Sequence, residues 1–301
     1  MSILKIGDYD EETELIKWFR FLQANRCSDF NTKEALELDF NQCISLKPFQ
    51  LVSLACLAEE YYSRGKKIKV FFNLNKKSGR YIHKIGYKHV WRPGTFQDKF
   101  LKFIQNSTVP VWKLDRDNLE QFLISTEKFY RNQNLKKNAT TPLRVALQET
   151  LNNILDHAGT KNGYVISQYY EKSKSLEIVV CDFGEGIPNQ INTYLRANNI
   201  KLLKQEKALI KALERGFSTK STPQNRGFGL NTVLSSVEAT FGELLIISNK
   251  AFLLKQKRKK GVKEETDQLE FSFPGTFIKI KLNANYFQLL DNEQDVEQDL
   301  I

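Results

Sequence analysis

The sequence is poor in the residues that tie a fold together covalently or through a metal. It has four cysteines and three histidines in 301 residues. Cys27, Cys43, Cys56 and Cys181 are scattered and have no paired spacing. That argues against a disulfide framework and against a zinc site. No apolar run approaches the ~20 residues a membrane helix needs. The opening Met1-Ser2-Ile3-Leu4-Lys5 is charged within a few positions and has no signal-peptide core. The expectation is a reduced, cytoplasmic protein that avoids membranes. No internal repeat is apparent.

What is present is the composition of a soluble globular chain, 41% apolar and 27% charged. Its length suits about two domains. The formal charge of +10 is unevenly spread. Lys255-Gln256-Lys257-Arg258-Lys259-Lys260, with Lys263, makes a basic block between two apolar stretches and reads as a hairpin loop. After Leu290 the tail carries Asp291, Glu293, Asp295, Glu297 and Asp299 and no basic residue. Such a balance permits nucleic-acid or acidic-partner binding. The basic block has no interleaved aromatics to stack bases, which ranks nucleic acid last among the partners.

The most informative stretch is Pro142–Ala158. Thr141 reads as its N-cap and Pro142 as its first helical residue. Leu143, Ala146, Leu147, Thr150, Leu151 and Ile154 keep the three/four spacing of an apolar face. Glu149, Asn153 and His157 fall at i, i+4 and i+8 along one edge. They are either a solvated polar face or a working site. Downstream come Asp182-Phe183-Gly184-Glu185-Gly186-Ile187-Pro188 after the apolar run Leu176–Cys181, then Asn225-Arg226-Gly227-Phe228-Gly229-Leu230, then Gly275-Thr276 before Phe277-Ile278-Lys279-Ile280.

These four blocks, in this order, resemble the N box, the two glycine boxes and the Gly-Thr box of the GHKL ATP-binding superfamily. The resemblance covers Thr141 to Leu282. It implies a two-layer α/β sandwich of the Bergerat type, with ATP and Mg2+ as ligands. Asp182 would accept the adenine amine, with Thr276 beside it. Gly184 and Gly186 would bring backbone close to the base at positive φ, leading into Ile187. Arg226, Gly227, Phe228, Gly229 and Leu230 would cradle phosphates at a helix N-terminus. Asn225 stands where the family usually has a further glycine. Lys220, in Gly216-Phe217-Ser218-Thr219-Lys220, is either a γ-phosphate contact or a solvated loop lysine. Asn153 would be the metal ligand and Glu149 the catalytic residue, orienting or deprotonating the attacking group. His157 matches the family's frequent His-Ala ending but also suits a structural histidine at a helix end.

Upstream, residues 1–33 read as a helical segment, Glu11–Ala24, apolar at Leu15, Ile16, Phe19, Phe21 and Leu22. Residues 34–94 read as a smaller α/β domain: a strand from Ala35, a helix Pro48–Arg64, a strand Ile68–Phe72, a short helix near Tyr81–Ile85, and Lys88–Trp91 as a further strand. This order resembles a STAS-like domain, the fold of anti-sigma-factor antagonists. Where those carry a phosphorylatable Ser, this chain has Ser45-Leu46-Lys47-Pro48, and Ser45 reads as a helix cap. The resemblance implies a docking module for a protein partner. Residues 95–140 read as a mostly helical connector with Asp115 as a cap, 141–284 as the ATP-binding domain, and 285–301 as an acidic tail. The expected function is an Mg-dependent ATPase whose lid closure switches partner docking in a signalling or regulatory assembly. The alternatives are a Ser/Thr kinase of the anti-sigma-factor type and an ATP-sensing scaffold that does not hydrolyse. A homodimer is a further partner expectation.

Overall fold

The computed structural model describes residues 2–9, 11–26, 35–91, 102–133, 135, 137–157, 163–217 and 229–288. It is a mixed α/β protein with two sheets. The smaller is parallel, in the order β1-β2-β3, formed by β1 (Ser2–Lys5), β2 (Leu36–Asp39) and β3 (Ile68–Phe71). The crossovers carry α1 (Glu11–Ala24) and α2 (Pro48–Tyr62). The opening segment therefore contributes a strand as well as the expected helix. Four residues are too short to show a period of their own, and β1 is defined by its partner. Leu15, Phe19 and Leu22 of α1 are buried as their spacing predicts, and Trp18 joins them.

Pro48 at the first turn starts α2, and Lys47 is its N-cap. The Lys47 N–H is taken by the Gln50 side chain at 3.0 Å. Ser45 does not cap the helix. Its N–H donates to Asp8 instead, at 2.8 Å. After β3 come α3 (Lys77–Lys84) and a 3-10 turn at Tyr87–His89. The strand expected at Lys88–Trp91 does not form. Tyr87 turns inward and donates its hydroxyl to Leu51 O, while Val90 and Trp91 bury as well.

The larger sheet has the order β4-β5-β6-β8-β7, every neighbouring pair antiparallel. Its strands are β4 (Thr108–Leu114), β5 (Gly163–Tyr170), β6 (Ser175–Asp182), β7 (Glu243–Arg258) and β8 (Gly261–Asn283). The helices are α4 (Leu119–Asn132), α5 (Lys137–His157), α6 (Ile187–Ala197), α7 (Gln205–Lys211) and α8 (Gly229–Ala239). The connector expected to be mostly helical thus holds a strand, β4. Asp115 does not cap α4. Asn118 is the N-cap, and Asp115 Oδ1 accepts from the N–H groups of Asp117 and Asn118 in the turn before it. α5 begins at Lys137 rather than at Pro142, so the proline lies inside the helix.

Both faces of this sheet are covered. Tyr164 donates its hydroxyl to Glu59 of α2 at 2.7 Å, while Ser167 meets Tyr130 of α4 at 3.1 Å. Side chains alternate along a strand, so residues three apart face opposite ways. α4, α5 and α8 therefore form one outer layer, and α2 lies on the other face against β5 and β6. This explains why twelve of the fifteen α2 residues are buried and why the helix has no polar side. The two-layer arrangement expected for residues 141–284 gains a third layer from the N-terminal segment.

β7 is not straight. Lys257 N–H donates to Gly242 O at 3.1 Å. A straight strand would hold those residues about 50 Å apart. The chain turns back at Asn249-Lys250, where Asn249 has φ +50 and the ladder shifts register. The basic block consequently surrounds the turn Lys259-Lys260, at the end of the sheet away from Asp182. Within it Lys255 pairs with Glu264 at 3.0 Å and Lys263 with Glu265 at 2.6 Å.

No helix among the described residues is long and apolar enough to cross a membrane. Cys43, Cys56 and Cys181 are free thiols and buried. Cys27 and residues 289–301 of the acidic tail lie outside the described residues.

Candidate functional site

Asp182 ends β6, and Thr276 stands opposite it on β8. The strand is buried along its whole length, so the carboxylate is only 2% exposed. Its Oδ1 accepts the Gly184 N–H at 2.8 Å, and the Thr276 N–H adds a second bond. Burial pushes the carboxyl from 3.8 up to about 7, and the two N–H donors hold it partly down.

The backbone packs so tightly here that a side chain has no room. Gly275 has φ +91, and a Cβ on it would lie 2.4 Å from Asp182 O and from Gly184 N. Gly186 has φ +84, and a Cβ there would lie 2.4 Å from the Asn249 side chain. Gly186 meets the expectation of positive φ. Gly184 does not: it is absent from the positive-φ residues, and its role is to donate to Asp182. Gly186 is the N-cap of α6, and Ile187 is the first residue of that helix.

Two residues that the motif reading did not single out join these segments. Ser248 Oγ accepts the Ile187 N–H at 2.9 Å, donates to Gly275 O at 2.8 Å, and lies 3.1 Å from Thr276 Oγ1. Asn249 Nδ2 donates to Glu185 O at 3.0 Å. The sequence signal was the polar Ser-Asn pair closing the apolar run Leu244–Ile247, the asparagine being a residue that tolerates left-handed φ.

α5 lies over this end of the sheet. A Cβ on Gly163 would touch Ile154 Cγ2 at 2.8 Å and Cys181 O at 3.9 Å. Ile154 therefore sits within reach of the strand position just before Asp182. Leu143, Ala146, Leu147, Thr150, Leu151 and Ile154 are all buried, as their spacing predicts. Glu149 is half-buried on the neighbouring edge. Its Oε2 is enclosed without a hydrogen-bond partner, and burial raises its carboxyl above the usual range. An enclosed carboxylate oxygen without a donor is costly. The backbone of α5 includes Asn153 and His157, but their side chains lie outside the described residues, as do Lys220, Arg226, Gly227 and Phe228. Gly229 begins α8, and Leu230, the next residue, is half-buried against the core. α8 packs beside α5, so its N-terminal amides open on the same layer as Glu149.

The N-terminal layer reaches this site directly. Phe183, next to Asp182, lies under the Arg26 guanidinium, 5.6 Å from its ring centre, and Arg26 is held by Glu60 of α2 at 2.7 Å. Phe19 of α1 packs edge-on against Phe273 and Phe277, on either side of Gly275-Thr276. The Cys56 thiol of α2 lies 3.2 Å from Cys181 O.

A separate cavity of about 980 Å³ lies at the opposite end of the large sheet, lined by Phe129, Tyr169 and Lys174 among others. It shares no residue with the Asp182 end. Among the described residues, no group of three or more His, Cys, Asp or Glu could hold a metal ion. Comparison of the chain with protein-family models and with curated proteins gave no match.

Proposed function

We propose that the chain binds ATP at the Asp182 end of its large sheet through a Bergerat-type fold of the GHKL kind, and hydrolyses it with the help of Mg2+. The observation that carries the reading is the setting of Asp182. A carboxylate with one oxygen tied to Gly184 N–H, walled by a glycine that leaves no room for a Cβ, is a buried acceptor set in close-packed backbone. An exocyclic amine is the matching donor. A guanine presents a carbonyl at the same place and is repelled.

The enclosed, partnerless Oε2 of Glu149 favours turnover over passive sensing. A raised carboxyl suits a general base. Asn153 would hold the metal ion, and a carboxamide oxygen suits a hard cation that keeps its waters. Exposed Ile3 and Phe71, on one face of the small parallel sheet, support partner docking through the N-terminal layer.

The test is a calorimetric titration with ATP and with GTP. Asp182→Asn should weaken ATP by roughly 1.5–3 kcal/mol, the worth of a hydrogen bond to a charged group. Equal affinity of the wild type for ATP and GTP would refute the reading.

A further inference from the structure

We propose that Ser248 is a positioning residue that sets the polarity of the Thr276 hydroxyl, so that Asp182 and Thr276 together present two acceptors and select a base carrying an exocyclic amine. The inference rests on the adenine-binding reading above and adds to it the origin of the base preference.

A serine hydroxyl has one hydrogen and two lone pairs. Ser248 Oγ is fully buried. It accepts the Ile187 N–H, which fills one lone pair. Its hydrogen goes to Gly275 O at 2.8 Å, a carbonyl that can only accept. Thr276 Oγ1 lies 3.1 Å away. With the Ser248 hydrogen already used, the Thr276 hydroxyl must be the donor in that contact. Its own hydrogen therefore points at Ser248, and its lone pairs are left for whatever lies beside Asp182. Once ionised, above about pH 7, the carboxylate is likewise an acceptor towards its surroundings. A base edge that enters here meets acceptors from both residues, and only a donor such as an amine satisfies them. Without Ser248 the threonine hydroxyl is free to rotate and to serve an acceptor on the base equally well.

The surroundings keep this chain of bonds in place. Ser248 stands directly opposite Thr276 in the β7–β8 ladder. Asn249 anchors the other side of the loop by donating to Glu185 O and meeting Gly186. Asn249 acts on the loop as a whole and does not touch the Thr276 hydroxyl.

The experiment compares two ligands, ATP and purine riboside 5′-triphosphate, which differ only in the exocyclic amine. The wild type should prefer ATP by about tenfold or more, the effect of one hydrogen bond to a charged acceptor. Ser248→Ala should reduce that preference to about threefold or less, mainly by weakening ATP. Ser248→Thr, which keeps the hydroxyl, should retain it. Asn249→Gly tolerates the positive φ and should weaken both ligands alike, as a purely structural lesion does. If Ser248→Ala does not fold, Thr276→Val carries the same test, since it removes the second acceptor at nearly constant volume. A wild type that prefers ATP, with the preference intact in Ser248→Ala or in Thr276→Val, overturns this inference and leaves the ATP reading standing. A wild type that binds neither ligand overturns both.

Discussion

Replacing Asp182 with Asn should change how the protein's stability depends on pH, whether or not a nucleotide is present. The carboxyl is buried and its pKa rises from 3.8 to about 7. Between those values the folded state holds a proton that the unfolded state has lost. The stabilisation is therefore complete below about pH 4 and disappears as the pH rises through 7. The gap from 3.8 to about 7 corresponds to about 4 kcal/mol between the two limits. Between pH 5 and pH 8 the same two values give a change of about 2–3 kcal/mol. Asparagine keeps the oxygen that accepts from Gly184 but does not titrate, so this component vanishes in Asp182→Asn.

The assay is urea unfolding of both proteins at several pH values from 5 to 8. Other groups titrate over the same range. Glu149 is one, and its raised carboxyl acts with the same sign. Subtracting the variant from the wild type at each pH removes their contribution. The difference should fall steadily with rising pH, by about 2–3 kcal/mol in total. A constant offset reports only the exchange of one hydrogen-bonding group for another. A flat difference would show that Asp182 is ionised throughout this range, and the account of a buried acceptor would fall with it.

The same carboxyl should govern ligand choice, because an amine needs an ionised acceptor. The preference for ATP over purine riboside triphosphate should shrink as the pH falls below 7, by up to tenfold per pH unit, as read by calorimetry. Glu149→Ala should keep ATP affinity and lower phosphate release by about 10²–10⁴-fold, whereas Asn153→Ala should weaken Mg-ATP binding itself. Identical behaviour of those two variants would end the division of labour along α5. Gly275→Ala should destabilise the fold by about 2 kcal/mol or more, because its Cβ meets backbone at 2.4 Å in a left-handed conformation. An unchanged urea midpoint in that variant would contradict the close packing of Asp182 and Gly184.

Much of the core was legible because it obeys a period. Every residue of the apolar face expected in α5 is buried. The misses have identifiable causes. Pro110 disguises β4, and a proline is tolerated there because β4 is the edge of its sheet. The helix expected at Pro48–Arg64 forms as α2, but nearly all of it is buried, and no periodicity announces a helix between two layers. The outer parts of β7 and β8 read as loop because their residues are charged. Their pairing is mostly with each other, so no buried face imposed an alternation. At the site, Asp182, Gly186 and Gly275 carried a signal because few other residues tolerate their conformations or contacts. Ser248 carried little, because its importance lies in the direction of one hydrogen, which depends on three partners distant in sequence.

That dependence also bears on what the N-terminal layer does. Phe183 follows Asp182 directly and lies between the Arg26 guanidinium and the Phe273 ring. Phe273 in turn packs with Phe277 and with Phe19 of α1. The aromatic floor beneath the Asp182 loop is therefore built jointly by the two halves of the chain. A partner that moved α1 would have to break the Arg26–Glu60 pair or repack Phe19, and either change reaches Asp182 and Thr276 through single contacts. The reverse path follows from linkage, since any ligand that binds one arrangement of the loop better must favour the matching arrangement of α1 by the same free energy. A docking module separated by a flexible connector would lack this property. Here α2 both completes the core and carries Glu60, the residue that holds Arg26.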